Sequence, residues 1–140
     1  MTLKLSKNDT AAYDYLSEDG SMTNPVVCSA QIDKTGGEVT SPSVQLYLVA
    51  TDEGEGDIGK YTDIQVTPST AQDGITWEVS LDDTSFSASI EPGDMDVTES
   101  DQTTPVWVRF VADNTESSPL NTGNHAAECE ITAVENPPEL

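Results

Sequence analysis

Two acidic segments contain the residues whose types and spacing could bind a metal ion. They are residues 51–57, with the sequence TDEGEGD, and residues 92–101, with the sequence PGDMDVTESD. Calcium takes about six to eight oxygen ligands, and the second segment offers the carboxylates of Asp94, Asp96, Glu99 and Asp101. Neither segment matches the EF-hand pattern, and solvated loops are the alternative in a chain with 26 acidic residues. We predict no obligatory cofactor, with these residues as candidate ligands for Ca²⁺ or another cation.

The sequence lacks the residue combinations that are typical of enzymes. A nucleophilic hydrolase needs a base beside its nucleophile, and the single histidine, His125, lies in a Gly-Asn-His-Ala stretch that predicts a surface turn. A glycine-rich phosphate loop and a dinucleotide fingerprint are both missing from the sequence. Carboxylate pairs are abundant, but sugar-cleaving sites also use several aromatic side chains, and the chain has 2 Trp, 4 Tyr and 2 Phe. We predict that the protein is not an enzyme.

The two cysteines, Cys28 and Cys129, both fall on apolar strand faces. Alternate residues in VVCSAQI and in AECEITA are apolar, and each cysteine lies in phase with them. Their spacing matches no zinc motif. We predict buried free thiols on neighbouring strands, and a disulfide between the first and last core strands is the alternative.

The chain is strongly acidic: 26 acidic and 5 basic residues give a net charge of −21 at pH 7. Such a surface repels nucleic acid and anionic membranes, which excludes both as direct partners. Molar salt screens self-repulsion, so we interpret the charge as an adaptation to a halophilic environment; calcium binding and plain solubility are the alternatives. The apolar runs, such as residues 46–50, are far too short to span a bilayer.

The first residues, MTLKLSKNDTAAYDY, contain no apolar signal-peptide core, no twin arginine and no small-residue cleavage site. We therefore expect synthesis in the cytoplasm without export by a cleaved signal peptide. An adhesion module that acts alone at a cell surface needs such a signal, whereas a virion protein assembled inside its host does not.

Short blocks of alternating apolar residues, separated by turns rich in glycine, proline and asparagine, predict an all-β fold. The 140 residues suit one domain, and the hydrophobic share of 35% suits a thin core. We predict an antiparallel immunoglobulin-like β-sandwich of about seven strands. The strands are expected near residues 26–32, 44–50, 61–67, 75–81, 86–90, 104–112 and 126–134. The predicted organisation is an N-terminal arm (1–25), the sandwich (26–135) and a C-terminal tail (136–140).

The same alternation assigns side chains to faces. Two sets are predicted to lie in the core, Trp77 with Val79 and Leu81, and Val106 with Val108 and Phe110. The strand at 44–50 has apolar residues on both faces and is predicted to lie centrally in its sheet. Trp107 and Arg109 lie opposite the second core set and belong to residue types enriched in binding hot spots. The alternative is that Arg109 only neutralises an acidic surface.

The N-terminal residues differ from the rest of the chain in charge. Residues 1–8 contain Lys4 and Lys7 and no acid. We predict that the arm attaches the protein to an acidic partner, with apolar side chains providing most of the affinity. The candidate partner-binding residues are Leu3, Lys4, Leu5, Lys7, Tyr13, Tyr15, Leu16, Trp107 and Arg109. The alternative is that TLKLS forms the first strand of the sandwich itself.

Five short sequence segments, in this order along the chain, carry a resemblance to a known family: residues 19–25 (DGSMTNP), 45–48 (QLYL), 61–66 (YTDIQV), 77–81 (WEVSL) and 104–109 (TPVWVR). The chain resembles the small immunoglobulin-like structural proteins encoded in the virion gene clusters of tailed double-stranded DNA viruses. In that family a TNP turn precedes the first core strand, and a PxWVR strand comes late in the domain. The resemblance covers about residues 18–112 and supplies no catalytic residues. Together with the acidic composition, it indicates a virus of a halophilic archaeon.

The resemblance implies a virion structural protein, most concretely a capsid decoration or turret protein. A tail or baseplate component is the alternative within this class. An acidic, calcium-tuned adhesion or binding module is the alternative from another class. The implied partners are other virion proteins, such as the major capsid protein or tail proteins, together with further copies of the chain in a homo-oligomer. The expected location is the virion.

Overall fold

A computed structural model describes residues 3–10, 12–16, 24–30, 37–51, 59–70, 74–97, 101–113 and 123–137. Within these ranges the chain is all-β, with nine strands in two antiparallel sheets that pack as a sandwich. The predicted all-β sandwich is confirmed, and the described residues contain more strands than the approximately seven expected.

The strands are, in chain order, β1 (Leu3–Ser6), β2 (Val26–Ala30), β3 (Glu38–Thr40), β4 (Val44–Ala50), β5 (Lys60–Ser69), β6 (Ile75–Ser80), β7 (Met95–Asp96), β8 (Gln102–Asp113) and β9 (Gly123–Asn136). In the first sheet, β8 pairs with β3 and β4 along one edge and with β6 along the other. β1 extends this sheet beyond β4, so β4 lies centrally, as predicted. The second sheet has the order β2, β9, β5, β7.

The N-terminal residues belong to the sandwich rather than to a projecting arm. β1 pairs with β4 and places Leu5 opposite Leu48, and Leu3 and Leu5 are both buried. Leu16 is buried in the same core, and its N–H donates to the carbonyl oxygen of Leu5 at 3.0 Å. The predicted arm over residues 1–25 is therefore corrected for Leu3–Ser6 and Leu16; residues 1–2, 11 and 17–23 lie outside the described residues. Leu3–Ser6 forms the first strand because its alternate leucines complete the core.

The core is formed by the inward side chains of both sheets. Trp77 on β6 lies opposite Phe110 on β8, and the two rings meet edge to face with their centroids 5.5 Å apart. The predicted core residues that are buried are Trp77, Val79, Val106, Val108 and Phe110. Period-two alternation therefore assigned the inward face of β8 correctly, and it assigned that of β6 correctly as far as the end of the strand.

Leu81 is 41% exposed, contrary to the prediction that it shares the core face of Trp77. The strand ends at Ser80, and the Asp82 carboxylate accepts hydrogen bonds from the backbone N–H groups of Ser85 and Thr84, each at 2.9 Å. These bonds turn the chain immediately after β6, and they also hold the pKa of Asp82 below its ordinary value. The alternation stops before Leu81, so its side chain points to solvent.

Residues 86–90 form two isolated bridges instead of the predicted strand. Ser87 exchanges both backbone hydrogen bonds with Val79, at 2.8 and 3.0 Å. Ile90 exchanges both with Val66, at 3.0 and 3.1 Å. The segment thus passes from the edge of the first sheet to the edge of the second. It covers backbone groups on both edges, which limits edge-to-edge association.

A β-bulge interrupts β5 in a way that the sequence pattern does not reveal. The register with β9 shifts between Thr62 and Gln65, and Asp63 adopts a left-handed conformation with φ of 53°. The bulge brings both Tyr61 and Ile64 into the core, although three positions separate them. A regular strand would have placed these two side chains on opposite faces.

Ser41 connects β3 to β4 along the edge of β8. Its N–H donates to the carbonyl oxygen of Phe110 at 2.9 Å, and its Oγ accepts a hydrogen bond from the N–H of Phe110 at 3.0 Å. The Ser41 side chain is buried. The strand pairing can therefore be interrupted between β3 and β4 while the buried backbone groups of Phe110 stay hydrogen-bonded.

Replacing Ser41 by alanine is expected to lower the free energy of unfolding by about 1–3 kcal/mol, because the buried N–H of Phe110 loses its acceptor. Ser43→Ala is the matched control. The Ser43 hydroxyl donates to Asp83 at 2.6 Å on the exposed surface, so its loss should cost about 0.5 kcal/mol or less. Urea denaturation of both variants measures the two costs, and equal values would contradict the role assigned to Ser41.

The two cysteines lie on neighbouring strands of the second sheet, as predicted, and both are free thiols. Cys28 on β2 is buried, and its Sγ lies 3.8 Å from the carbonyl oxygen of Val108 in the other sheet. Cys129 on β9 is only half-buried, contrary to the predicted burial of both thiols. Desolvation raises the pKa of Cys28 to about 11 and that of Cys129 to about 12. The backbone of His125 on β9 pairs with that of Cys28 on β2, so His125 lies in a strand rather than in the predicted turn.

Alkylation of both thiols in the native protein at about pH 8 is expected to be at least about 100-fold slower than in the unfolded chain. A pKa raised by about two pH units lowers the reactive thiolate fraction by about that factor. The same shift predicts a loss of stability as the pH rises from about 9 towards 11, because the unfolded thiols ionise first. Timed iodoacetamide labelling with mass detection measures the rates. Equal rates in the native and unfolded states would contradict burial.

Candidate functional site

The first two candidate metal ligands lie beside Lys60 at the edge of the second sheet. The Asp94 carboxylate forms an ion pair with the Lys60 ammonium group, with 3.3 Å between Oδ2 and Nζ. Asp96 lies opposite the same lysine, where β7 pairs with β5. A metal ion bound to Asp94 and Asp96 would therefore lie close to the positive charge of Lys60.

Asp101 is engaged with the N-terminal region and accepts a hydrogen bond from the Tyr13 hydroxyl at 3.3 Å. Partial burial, and then the Asp101 carboxylate, raise the pKa of Tyr13. Glu99 and residues 52–57 of the other acidic segment lie outside the described residues. Within the ranges that are described, no three His, Cys, Asp or Glu side chains are grouped so that they could hold a metal ion.

The outer face of the first sheet carries a second candidate site. Lys4 on β1, Tyr47 on β4, and Trp107 and Arg109 on β8 each alternate with buried residues of their own strand. Their side chains therefore point away from the core. All four are half-buried.

Three of these side chains follow one another diagonally across the sheet. Lys4 pairs with Val49, which is two residues from Tyr47 on β4. Tyr47 in turn pairs with Pro105, which is two residues from Trp107 on β8. Diagonal neighbours on one face of a sheet are about 7–8 Å apart, within reach of aromatic and long side chains. The register thus brings residues from three separate strands into one row.

A cation stacked on an aromatic ring lies at each end of this row. The Lys4 Nζ lies 4.9 Å from the ring centroid of Tyr15, and the Arg109 Cζ lies 3.8 Å from the ring centroid of Phe86. Both distances are in the range of cation–π attraction. Arg109 also forms an ion pair with Glu78, with 3.0 Å between Nε and Oε1. These two contacts hold the guanidinium group in one orientation.

We name this row the aromatic stripe; it consists of Tyr15, Lys4, Tyr47, Trp107, Arg109 and Phe86. It contains four of the eight aromatic residues and two of the five basic residues in the chain. Tyr13 extends it at one end, with its ring centroid 5.6 Å from that of Tyr15. A single outer face therefore concentrates basic and aromatic side chains, which are both scarce in this strongly acidic chain.

The predicted partner-binding residues divide between this stripe and the core. The structure brings four of them together in the stripe: Lys4, Tyr15, Trp107 and Arg109. It places three of them in the core, where no partner can contact them in this fold: Leu3, Leu5 and Leu16. Lys7 is exposed and donates a hydrogen bond to the side chain of Asn24 at 2.8 Å.

Tyr47 and Phe86 belong to the stripe but were not singled out from the sequence. The outward phase of Tyr47 is visible from Leu46 and Leu48 on either side of it, but its position beside Trp107 depends on the pairing of β4 with β8. Phe86 begins the segment predicted as a strand over residues 86–90, but this segment forms only isolated bridges, so no strand pattern relates Phe86 to Arg109. The contact of Phe86 with Arg109 is a tertiary one.

The chemistry of the stripe is that of a contact surface. Tryptophan, tyrosine and arginine are the residue types enriched in protein-binding hot spots, and side chains that are already held in place lose less conformational entropy on binding.

No helix that could span a bilayer is found in the part of the chain that the structure describes. The chain matches no protein-family model, no curated protein and no solved structure.

Proposed function

We propose that the protein is a non-enzymatic structural subunit of a virus particle and that it joins a neighbouring subunit through the aromatic stripe. One observation carries this proposal: four aromatic and two cationic side chains share one outer sheet face in a chain whose net charge is −21. The acidic remainder of the surface repels other acidic proteins, so attachment through the stripe meets the least electrostatic resistance.

Within the virion, our first proposal is a capsid decoration or turret protein of a tailed virus with a halophilic archaeal host. The resemblance over residues 18–112 supports the virion setting, and the excess of acidic residues supports the host. The neighbouring subunit is then the major capsid protein or a further copy of this chain. A tail or baseplate subunit, the alternative, would use the same stripe against a tail protein.

The stripe is suited to binding in concentrated salt. At about 1 M salt the Debye length falls to about 3 Å, so long-range attraction between oppositely charged surfaces is lost. Aromatic packing and cation–π contacts act at van der Waals distance and persist under these conditions. A site that combines Trp107 and Tyr47 with two cations already stacked on rings therefore keeps most of its affinity.

The incorporation of a Trp107→Glu variant into particles stripped of the protein tests the site. We expect at least about a tenfold loss of incorporation, because a central hot-spot residue contributes about 2 kcal/mol or more. Thr40→Glu is the matched control, because Thr40 is exposed on the same sheet face, on β3, outside the stripe. If a folded Trp107→Glu protein joins particles like the wild type, the stripe is not the attachment site.

The location of the chain tests the virion proposal itself. Mass spectrometry of purified particles should detect the protein, and a cryo-electron microscopy map should place its sandwich on the capsid. Density in the tail would favour the tail or baseplate alternative. Absence of the chain from intact purified particles would overturn the virion proposal, whatever the stripe binds.

A further inference from the structure

The outer face of the second sheet has the opposite character to the aromatic stripe. Along β9 the side chains alternate, and those exposed on the outer face are Ala126, Glu128, Glu130, Thr132 and Val134. Val27 on β2 lies opposite Ala126 on the same face, and it is 43% exposed. We name Val27, Ala126, Glu128 and Glu130 the acidic patch. It combines two carboxylates with two small apolar side chains.

The carboxylates of the acidic patch have no cation to neutralise them among the described residues. The cross-strand partners of Glu128 and Glu130 on β5 are Ser69 and Thr67. Lys60 lies at the far end of this sheet, where it is already engaged in an ion pair with an aspartate. The patch therefore presents two negative charges about 7 Å apart, the spacing of alternate residues on a strand, with no compensating cation in the described part of the chain.

We propose that the aromatic stripe of one copy of this chain binds the acidic patch of a second copy, a step that rests on the proposed function and names the neighbouring subunit. Arg109 is the central contact. Its Nε is paired with Glu78, and its guanidinium group carries further N–H donors for a second carboxylate. Trp107 packs on the small side chains of the patch, which leave room for its ring.

The spacing of apolar and charged groups is the same on both surfaces. Trp107 and Arg109 are two residues apart on the outer face of β8, and Ala126 and Glu128 are two residues apart on the outer face of β9. Each pair therefore spans about 7 Å. When Trp107 of one copy covers Ala126 of the next, Arg109 of the first reaches Glu128 of the second.

Charge favours head-to-tail association over a two-fold dimer. Two stripes face to face would bring together two surfaces that each carry Lys4 and Arg109, and two acidic patches would bring together Glu128 and Glu130 of both copies. Stripe against patch pairs opposite charges instead. Such an interface is heterologous, and its repetition gives a closed ring or a filament. A ring of small sandwiches is an arrangement that a capsid or tail assembly can use.

Salt controls this association through the total charge. Each copy carries −21, so subunits repel one another strongly when the Debye length is about 10 Å, near 0.1 M salt. At about 3 M KCl that repulsion is confined to direct contact, and the packing of Trp107 and the Arg109–carboxylate contact remain. We expect oligomers in high salt and monomers in low salt.

Two variants with one blocked surface each provide the test. Trp107→Glu blocks the stripe, and the double variant Glu128→Lys, Glu130→Lys blocks the patch. Each variant alone should sediment as a monomer at about 3 M KCl, where the wild type forms higher oligomers. Mixed in equal amounts, they retain one intact stripe and one intact patch between them. The mixture should therefore form a heterodimer and nothing larger.

The double variant Glu38→Lys, Glu91→Lys is the matched control, because it makes the same change in net charge at exposed positions outside both surfaces. It should form oligomers like the wild type, and circular dichroism should show that all variants are folded. A wild type that stays monomeric at every salt concentration overturns the inference. An assembling wild type whose two blocked variants do not combine, or whose patch variant still assembles alone, also overturns it.

The outcomes separate this inference from the proposed function. If the wild type is monomeric in solution and Trp107→Glu still fails to join particles, the stripe binds a different virion protein; the proposed function stands and the self-association falls. If Trp107→Glu joins particles normally, the proposed role of the stripe falls, even if the purified chain associates with itself.

Discussion

Replacing Trp77 by alanine is expected to lower the free energy of unfolding by about 3–5 kcal/mol, the range for deletion of a large buried aromatic side chain. Trp77 is 3% exposed and packs edge to face against Phe110, its cross-strand neighbour. In a chain that is 35% hydrophobic, few other side chains can fill the space that its loss leaves. Urea denaturation at constant high salt measures the loss.

Two further variants make this result specific. Leu81→Ala should cost well under about 1 kcal/mol, because Leu81 is 41% exposed beyond the end of β6. Trp77→Phe should cost clearly less than Trp77→Ala, because the buried Nε1–H of Trp77 has no acceptor among the described residues and phenylalanine removes this unpaired donor. Equal costs for Trp77→Ala and Leu81→Ala would contradict the inward facing of Trp77.

The melting temperature is expected to rise by about 10 °C or more between about 0.1 M and about 3 M KCl. Folding concentrates a net charge of −21 on a small domain, and unscreened repulsion among the carboxylates opposes a thin core. Salt shortens the range of this repulsion and so favours the compact state. Differential scanning calorimetry over a KCl series, at a protein concentration that keeps the chain monomeric, gives the slope.

A less acidic variant identifies the carboxylates as the cause. Neutralising exposed acids should flatten the dependence of melting temperature on salt while the fold is kept; suitable changes are Asp9→Asn, Glu91→Gln, Glu128→Gln and Glu130→Gln. A melting temperature that does not change with KCl in the wild type would rule out a halophilic adaptation. A slope that is unchanged in the variant would assign the salt effect to something other than these charges.

Local alternation accounts for the parts of the fold that could be predicted from the sequence. Residues 44–50 form β4 with the expected bounds, and Trp77 and Phe110 are buried as their phase predicted. A strand exposes one face and buries the other, so its pattern of apolar residues is a property of the strand alone. The outward facing of Trp107 and Arg109, two members of the stripe, followed from the same rule.

Pairing between distant segments accounts for what the sequence left open. The alternate leucines of Leu3–Ser6 fit a strand added to a partner as well as they fit the sandwich itself, and the antiparallel register of β1 with β4 selects the second. The bulge at Asp63 and the turn held by the Asp82 carboxylate both interrupt the alternation of apolar residues. Neither interruption is visible in the apolar pattern of the sequence. The stripe depends on these pairings most of all. Tyr47 and Trp107 become neighbours because β4 lies beside β8 in one register, and strand register is set by long-range packing of the whole core rather than by local residue preference.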